Sequence, residues 1–192
     1  MAIGLALILI TMGMNLYASY ANRQEVASFR EAIAESPFAT ESDIVQQETR
    51  EQPGASAEET AIAILRIPSI ECEEIVKDGS ARWTLAKALG HMEGTAYPGE
   101  PGNCAIAGHR NYNFGLFFNR LDEVQVEDEI ILDTKEASYT YRVTEIKVVE
   151  PEDLSVLDQT EDATITLITC TPLYIATHRL IVSGELVETT YR

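Results

Sequence analysis

The chain has 192 residues, 45% of them hydrophobic, with 31 acidic against 14 basic side chains and a formal net charge of −17. That is room for one ordinary domain with an appendage, and enough apolar mass for a real core, so a chain disordered throughout is excluded. The charge also excludes a nucleic-acid partner, because a phosphate-binding face needs a basic patch and the Lys and Arg residues are scattered.

Residues 1–21 carry no charged side chain and are mostly Leu, Ile, Ala, Met and Gly. A run of about 20 such residues crosses a bilayer as a helix. A cleaved signal peptide is the alternative, with Ser19-Tyr20-Ala21 as a weak small-x-small site. A retained anchor is preferred, and on either reading the rest of the chain is exported. Val26, Phe29 and Ile33 recur at helical spacing, so the apolar helix continues as a short amphipathic one until Ser36-Pro37 breaks it. From Phe38 to Glu59 the residues are Glu, Gln, Ser, Thr and Ala with few apolar side chains, which makes 22–60 an amphipathic helix followed by an acidic linker or mobile arm. The acids of this region read as solvated surface. Metal binding by an acidic loop such as Glu150 to Asp162 is the lesser alternative, no D-x-D-x-D-G loop is present, and no metal or other cofactor is expected.

A globular domain is expected over 61–192. Ile62, Ile64 and Ile67 mark a strand ending at Pro68, and Ile70 to Val76 a second one. Ala81 to Leu89 reads as a helix with Trp83, Leu85 and Leu89 as its apolar contacts. Further strands are expected at Cys104–Ala107, Glu129–Leu132, Tyr139–Val149, Thr164–Cys170 and Arg179–Val187. Seven or eight short strands with few helices predict a mainly-β fold, a closed or nearly closed barrel.

Cys72, Cys104 and Cys170 form no C-x-x-C pair, so a zinc site is not expected, and the odd count leaves at least one thiol free. Cys170 ends an apolar run (Ala163, Ile165, Leu167, Ile168), and Arg179 begins another (Leu180, Ile181, Val182) nine residues later. Two strands joined by a short Pro-containing loop put thiol and guanidinium side by side at one rim of a sheet. A thiol nucleophile beside a fixed cation suits acyl transfer, which then needs a proton carrier. Of the three histidines, His91 follows a helix in a packing position, and strand alternation turns His178 away from the face of Arg179. His109 stands at a strand end just after Gly108, where side chains reach solvent, and is the candidate acid and base. Cys104 and Cys72 are assigned to the core.

The segment Thr166-Leu167-Ile168-Thr169-Cys170 with Arg179, and Gly108-His109-Arg110 upstream, resembles the sortases, the cysteine transpeptidases of Gram-positive cell surfaces. The likeness covers most of Ala61 to Val187, including Arg66-Ile67-Pro68-Ser69-Ile70 and Gly90-His91-Met92-Glu93-Gly94-Thr95. It implies a sortase-type closed β-barrel of seven to eight strands with short helices, behind an N-terminal transmembrane helix. It also implies a Cys170 thioester with the threonine of a Leu-Pro-x-Thr-Gly-type sorting signal, His109 as acid and base, and Arg179 on the oxyanion. Thr169 and Thr171 are candidates for substrate binding or oxyanion support, with a plain β-strand threonine the equal alternative at Thr169. The implied partners are surface or pilin proteins with a C-terminal sorting signal and an amine acceptor, either a pilin lysine or a peptidoglycan precursor, at the outer face of the cell membrane.

Within that family, Thr171-Pro172 and Thr177-His178-Arg179 resemble the pilin-polymerising class C, and Pro98-Gly99-Glu100-Pro101-Gly102-Asn103 is similar to class D. Class C members carry a lid with an Asp-Pro-aromatic motif. Here Ser36-Pro37-Phe38 offers Phe38 as a candidate lid residue without the acid, and a helix terminator is the alternative. A hydrolytic cysteine endopeptidase and a sorting-signal-binding β-barrel without turnover are the competing functions.

Overall fold

The computed structural model describes residues 2–34, 60–110 and 117–192. Its first element is one long helix, α1 (Ala2–Ala34). Strands β1 (Ala61–Ile67) and β2 (Cys72–Asp78) follow, then a single helical turn α2 (Arg82–Leu85) and the short strand β3 (Leu89–His91). The remaining strands are β4 (Gly102–Ala107), β5 (Glu129–Asp133), β6 (Ala137–Val149), β7 (Ala163–Thr171) and β8 (His178–Tyr191).

The eight strands close into a barrel in the order β1-β2-β3-β4-β7-β8-β6-β5, with β5 returning to β1. Closure removes the unpaired edges that an open sheet would expose. Six of the eight contacts are antiparallel; β2/β3 and β4/β7 are parallel. Period-2 alternation sends Leu65, Val76, Ile106, Leu132, Leu167 and Val182 into a common interior, all fully buried. Tyr141 lies wholly inside and satisfies its polar tip by accepting from the Gly99 N–H at 2.8 Å. Gly99 has φ 83°, and a Cβ there would lie 2.0 Å from the Tyr139 ring, so only glycine fits. Two register shifts in the β6/β8 ladder bend these long strands, of 13 and 14 residues, around the barrel.

The outer face of β1 and β2 is covered as well. Val26, Phe29 and Ile33, on one face of α1, pack against Ile64, Ile75 and Ala88. Lys77 pairs with Glu25 at 2.6 Å, Arg30 pairs with Glu73, and the Asn22 side chain donates to the Glu73 carbonyl. Burial on both faces explains why β1 is apolar without a break from Ala61 to Leu65.

The helix expected at Ala81 to Leu89 is cut to one turn, and Leu89-Gly90-His91 is strand instead. These three residues are buried between β2 and β4, and a Cβ on Gly90 would lie 2.6 Å from the Gly79 carbonyl, so sheet pairing overrides helix propensity. Trp83, expected as an apolar contact, is 67% exposed; Thr84 is the buried residue of that turn. The helical spacing of Val26, Phe29 and Ile33 is borne out. Among the described residues no helix is long and apolar enough to cross a membrane. Phe38 and the rest of the acidic linker, 35–59, lie outside the described residues.

Candidate active site

Cys170 is the penultimate residue of β7 and Arg179 the second of β8; in the antiparallel ladder they are direct cross-strand partners. Residues directly opposite each other project to the same face, so thiol and guanidinium stem share the outer face at one barrel end. The Arg179 Nη1 donates to the carbonyl of His178 at 3.1 Å. The connection Pro172–Thr177 is tied back by Ala176 N–H on the Pro172 carbonyl at 2.9 Å, with Tyr174 and Ala176 in the left-handed region.

The other flank of β7 is β4, running parallel, with Ala107 opposite Ile168. Beyond the last ladder pair Gly108 N–H donates to the Ile168 carbonyl at 3.0 Å, and the buried Thr169 hydroxyl donates to the Gly108 carbonyl at 2.8 Å. The next residue, His109, therefore comes level with Cys170. A Cβ on Gly108 would sit 2.5 Å from Leu89 Cδ2 and 2.7 Å from Phe118 Cδ2, which is why glycine precedes this histidine. His109 and Cys170 line one open cleft of about 200 Å³ together with Arg110, Pro172, Leu173, Tyr174 and Ala176.

The other candidates are placed elsewhere. His91 is 2% exposed and held through Nδ1 by Asp78 at 3.3 Å and through Nε2 by the Ala96 carbonyl at 3.0 Å, with its ring stacked on Tyr97 at 4.6 Å between centroids. His178 meets Thr177 at 2.9 Å and Glu150 at 3.3 Å, away from the cleft lining. Cys72 and Cys104 are buried; burial pushes the Cys104 thiol up to about 12 and that of Cys72 higher still. Cys170 is half-buried and is the cysteine in the cleft wall. The Thr169 hydroxyl is committed to Gly108, so Thr169 reaches the site through the backbone that carries His109. The Thr171 hydroxyl accepts from Arg110 Nη1 at 3.0 Å.

Two residues to which the sequence reading gave no role stand out here, Arg110 in the cleft wall and Glu74 inside the barrel beyond it. Arg110 lines the cleft with a side chain only 8% exposed. Glu74, 1% exposed, points into the barrel from β2, where its Oε1 accepts from the Phe117 N–H at 2.8 Å. Cys72, two residues earlier on the same face, donates its thiol to the Phe117 carbonyl at 3.7 Å. Phe117 has φ 51°, so β2 grips both polar groups of an unusual backbone residue. Burial lifts the Glu74 carboxyl to about 7, opposed by the Phe117 hydrogen bond and aided by the charge of Glu73. Its Oε2 has no hydrogen-bond partner among the described residues. The charged residue at an inward position of Cys72-x-Glu74-x-Val76 was the available signal for Glu74; the tripeptide Gly108-His109-Arg110 was the signal for Arg110.

Residues 65–187 match the family model described as the Sortase domain. Sortase A of Listeria monocytogenes is 32% identical over 131 residues, 68% of this chain and 59% of the relative. Sortase D of Bacillus subtilis is 32% identical over 131 residues, 66% of this chain and 64% of the relative. The chain thus spans less than two thirds of the length of these two curated relatives. Among solved structures, a Clostridium perfringens sortase D5 transpeptidase aligns with a TM-score of 0.62 and 38% identity, covering 67% of this chain and 79% of that one.

Proposed function

The chain belongs to the sortase family, and on that premise we propose that it is a cysteine transpeptidase acting on surface proteins that end in a Leu-Pro-x-Thr-Gly-type sorting signal. The observation that carries the reading is the meeting of Cys170 and His109 in one cleft, with Arg179 as the cross-strand partner of Cys170. The Cys170 sulfur attacks the threonine carbonyl carbon, and the resulting oxyanion is held by the Arg179 guanidinium once it leaves the His178 carbonyl. The Thr–Gly C–N bond breaks as His109 donates its proton to the leaving amine, leaving a thioester on Cys170. An incoming amine gives a proton to His109 and attacks the thioester, so a new amide forms while the C–S bond breaks and the thiolate returns.

We further propose, from the uncharged and mostly apolar sequence of residues 1–21, that this end of the chain anchors it in the cell membrane with the barrel outside. Sortase C structures align as well as the sortase D5 transpeptidase, so both acceptors enter the proposal: a pilin lysine, for polymerisation of pilin, and a peptidoglycan precursor, for class D-type attachment. The test is incubation of the protein with a sorting-signal peptide, with and without an amine acceptor. The expected results are an acyl adduct on Cys170 by mass spectrometry, its loss in Cys170→Ala, and product that requires the amine. Equal cleavage without amine makes the protein a hydrolytic endopeptidase. Binding without any cleavage refutes the enzyme reading.

A further inference from the structure

We propose that Arg110 is a positioning residue of this site, a guanidinium clamp that sets the geometry between the strand end carrying Cys170 and the segment carrying His109. The inference rests on the transpeptidase reading above. Three connections converge on its side chain. Nη1 donates to the Thr171 hydroxyl at 3.0 Å, and Thr171 is bonded directly to Cys170. Nη2 pairs with Asp122 at 2.7 Å, and Nε donates to the Asn119 carbonyl at 3.4 Å. Arg110 itself follows His109 in the chain. The guanidinium therefore ties the end of β7 and the segment before β5 to the backbone that presents His109.

The chemistry of the group fits this work. A guanidinium is planar and donates in several fixed directions at once, which fixes its partners relative to one another; an ammonium on a flexible stem cannot. At 8% exposure the side chain has given up most of its water, so the Asp122 carboxylate and the two oxygen acceptors are what make the charge tolerable there. The β4/β7 pairing alone does not complete the alignment, because its last hydrogen bonds reach Gly108 and not His109. In-line attack and proton delivery are sensitive to this alignment, since a misplacement of about 1 Å costs on the order of a hundredfold in rate.

The test compares full-length wild-type protein with Arg110→Ala, Arg110→Lys, Thr171→Val and the double variant Arg110→Ala/Thr171→Val. Turnover of a sorting-signal peptide with an amine acceptor is measured per folded molecule, together with iodoacetamide alkylation of Cys170, which needs no substrate. Arg110→Ala and Arg110→Lys are both expected to lower kcat by roughly 10- to 100-fold while KM stays within about threefold. Thr171→Val is expected to lower kcat too, and the double variant to be no worse than Arg110→Ala, because both changes break one link. All variants are expected to change the Cys170 alkylation rate by about threefold or more. Wild-type kcat in Arg110→Lys overturns the proposal, since charge alone then suffices. So does a raised KM with unchanged kcat, which makes Arg110 a substrate contact. If Arg110→Ala does not fold, Thr171→Val decides: wild-type kcat there refutes the clamp. If the wild type cleaves no peptide, the functional reading fails while alkylation still judges Arg110, with equal rates in all variants refuting it.

Discussion

Glu74→Gln isolates a carboxyl that the barrel buries without a counter-charge among the described residues. The substitution keeps the shape and the acceptor for the Phe117 N–H but removes the titration. In the folded protein Glu74 holds its proton up to about 7, against 4.5 for an unperturbed glutamate. Between those values the folded state binds more protons than the unfolded one, so stability falls as pH rises through the window. The contribution is fully present below about 4.5 and lost above about 7. At about 1.4 kcal/mol per pH unit the window amounts to about 3 kcal/mol. The new amide N–H₂ replaces an oxygen that has no partner among the described residues and adds a penalty of about 1–3 kcal/mol that does not depend on pH. The quantity to measure is therefore the difference in unfolding free energy between variant and wild type, from urea titrations followed by far-UV circular dichroism at several pH values from 4 to 8. That difference cancels the titrations the two proteins share. It should move in favour of the variant by about 3 kcal/mol between pH 4.5 and 7.5. A difference that stays flat across that range refutes the buried, proton-holding carboxyl and the role assigned to the Phe117 hydrogen bond.

Iodoacetamide at pH 8 should modify Cys170 in the native protein and reach Cys72 and Cys104 only after denaturation, because burial holds both of those thiols protonated far above that pH. Mass-mapped adducts check this, and comparable native labelling at Cys104 would refute it. His91→Ala should cost about 2–4 kcal/mol through the lost Asp78 and Ala96 bonds and the Tyr97 stack, seen as a lower Tm. Peptide cleavage per folded molecule should stay within about twofold, whereas His109→Ala should abolish cleavage at near-unchanged Tm; the reverse pattern would show that the wrong histidine had been assigned to proton transfer. Phe29→Ala removes the central side chain of the α1 contact and should destabilise the protein by about 3 kcal/mol, so an unfolding free energy within about 0.5 kcal/mol of wild type would mean that α1 does not dock on β1 and β2.

The barrel was readable from the sequence because seven of its strands are long enough to stand out as apolar or alternating stretches: β1 from Ala61 to Leu65, and β7 and β8 through the apolar runs that flank the Pro172 loop. β3 was not, since three residues carry no period and the flanking Ala, Lys and Leu residues favour helix locally; only the sheet partners on both sides decide it. Likewise Trp83 reads as core by residue type, while the single turn that carries it leaves it in solvent. The Cys170 and Arg179 pairing was readable for a local reason. A hairpin connection so short leaves few registers, and the observed one places the two residues opposite each other. The Glu74 bond to Phe117, the Arg110 bond to Thr171 and the Thr169 bond to Gly108 span 43 to 61 residues, and no local pattern encodes such contacts.

That asymmetry in range also explains how the site is built. Nucleophile and cation come from one hairpin, so one register fixes both. The proposed base comes from the end of a parallel strand, and a parallel pair has no tight turn to set its alignment. The fold adds separate fixings around His109 to make up for this. Thr169 and Ile168 hold Gly108 just before it, Arg110 grips Thr171, Asn119 and Asp122 just after it, and the Phe118 N–H bonds the His109 carbonyl. Phe118 is itself fixed by its neighbour Phe117, which Glu74 and Cys72 hold from inside the barrel. Each fixing uses a buried polar group that would be a liability elsewhere: a carboxyl inside an apolar barrel, a nearly dry guanidinium, a threonine hydroxyl in the core. Their concentration around one histidine is the physical reason to expect that loosening any of them lowers turnover before it unfolds the protein.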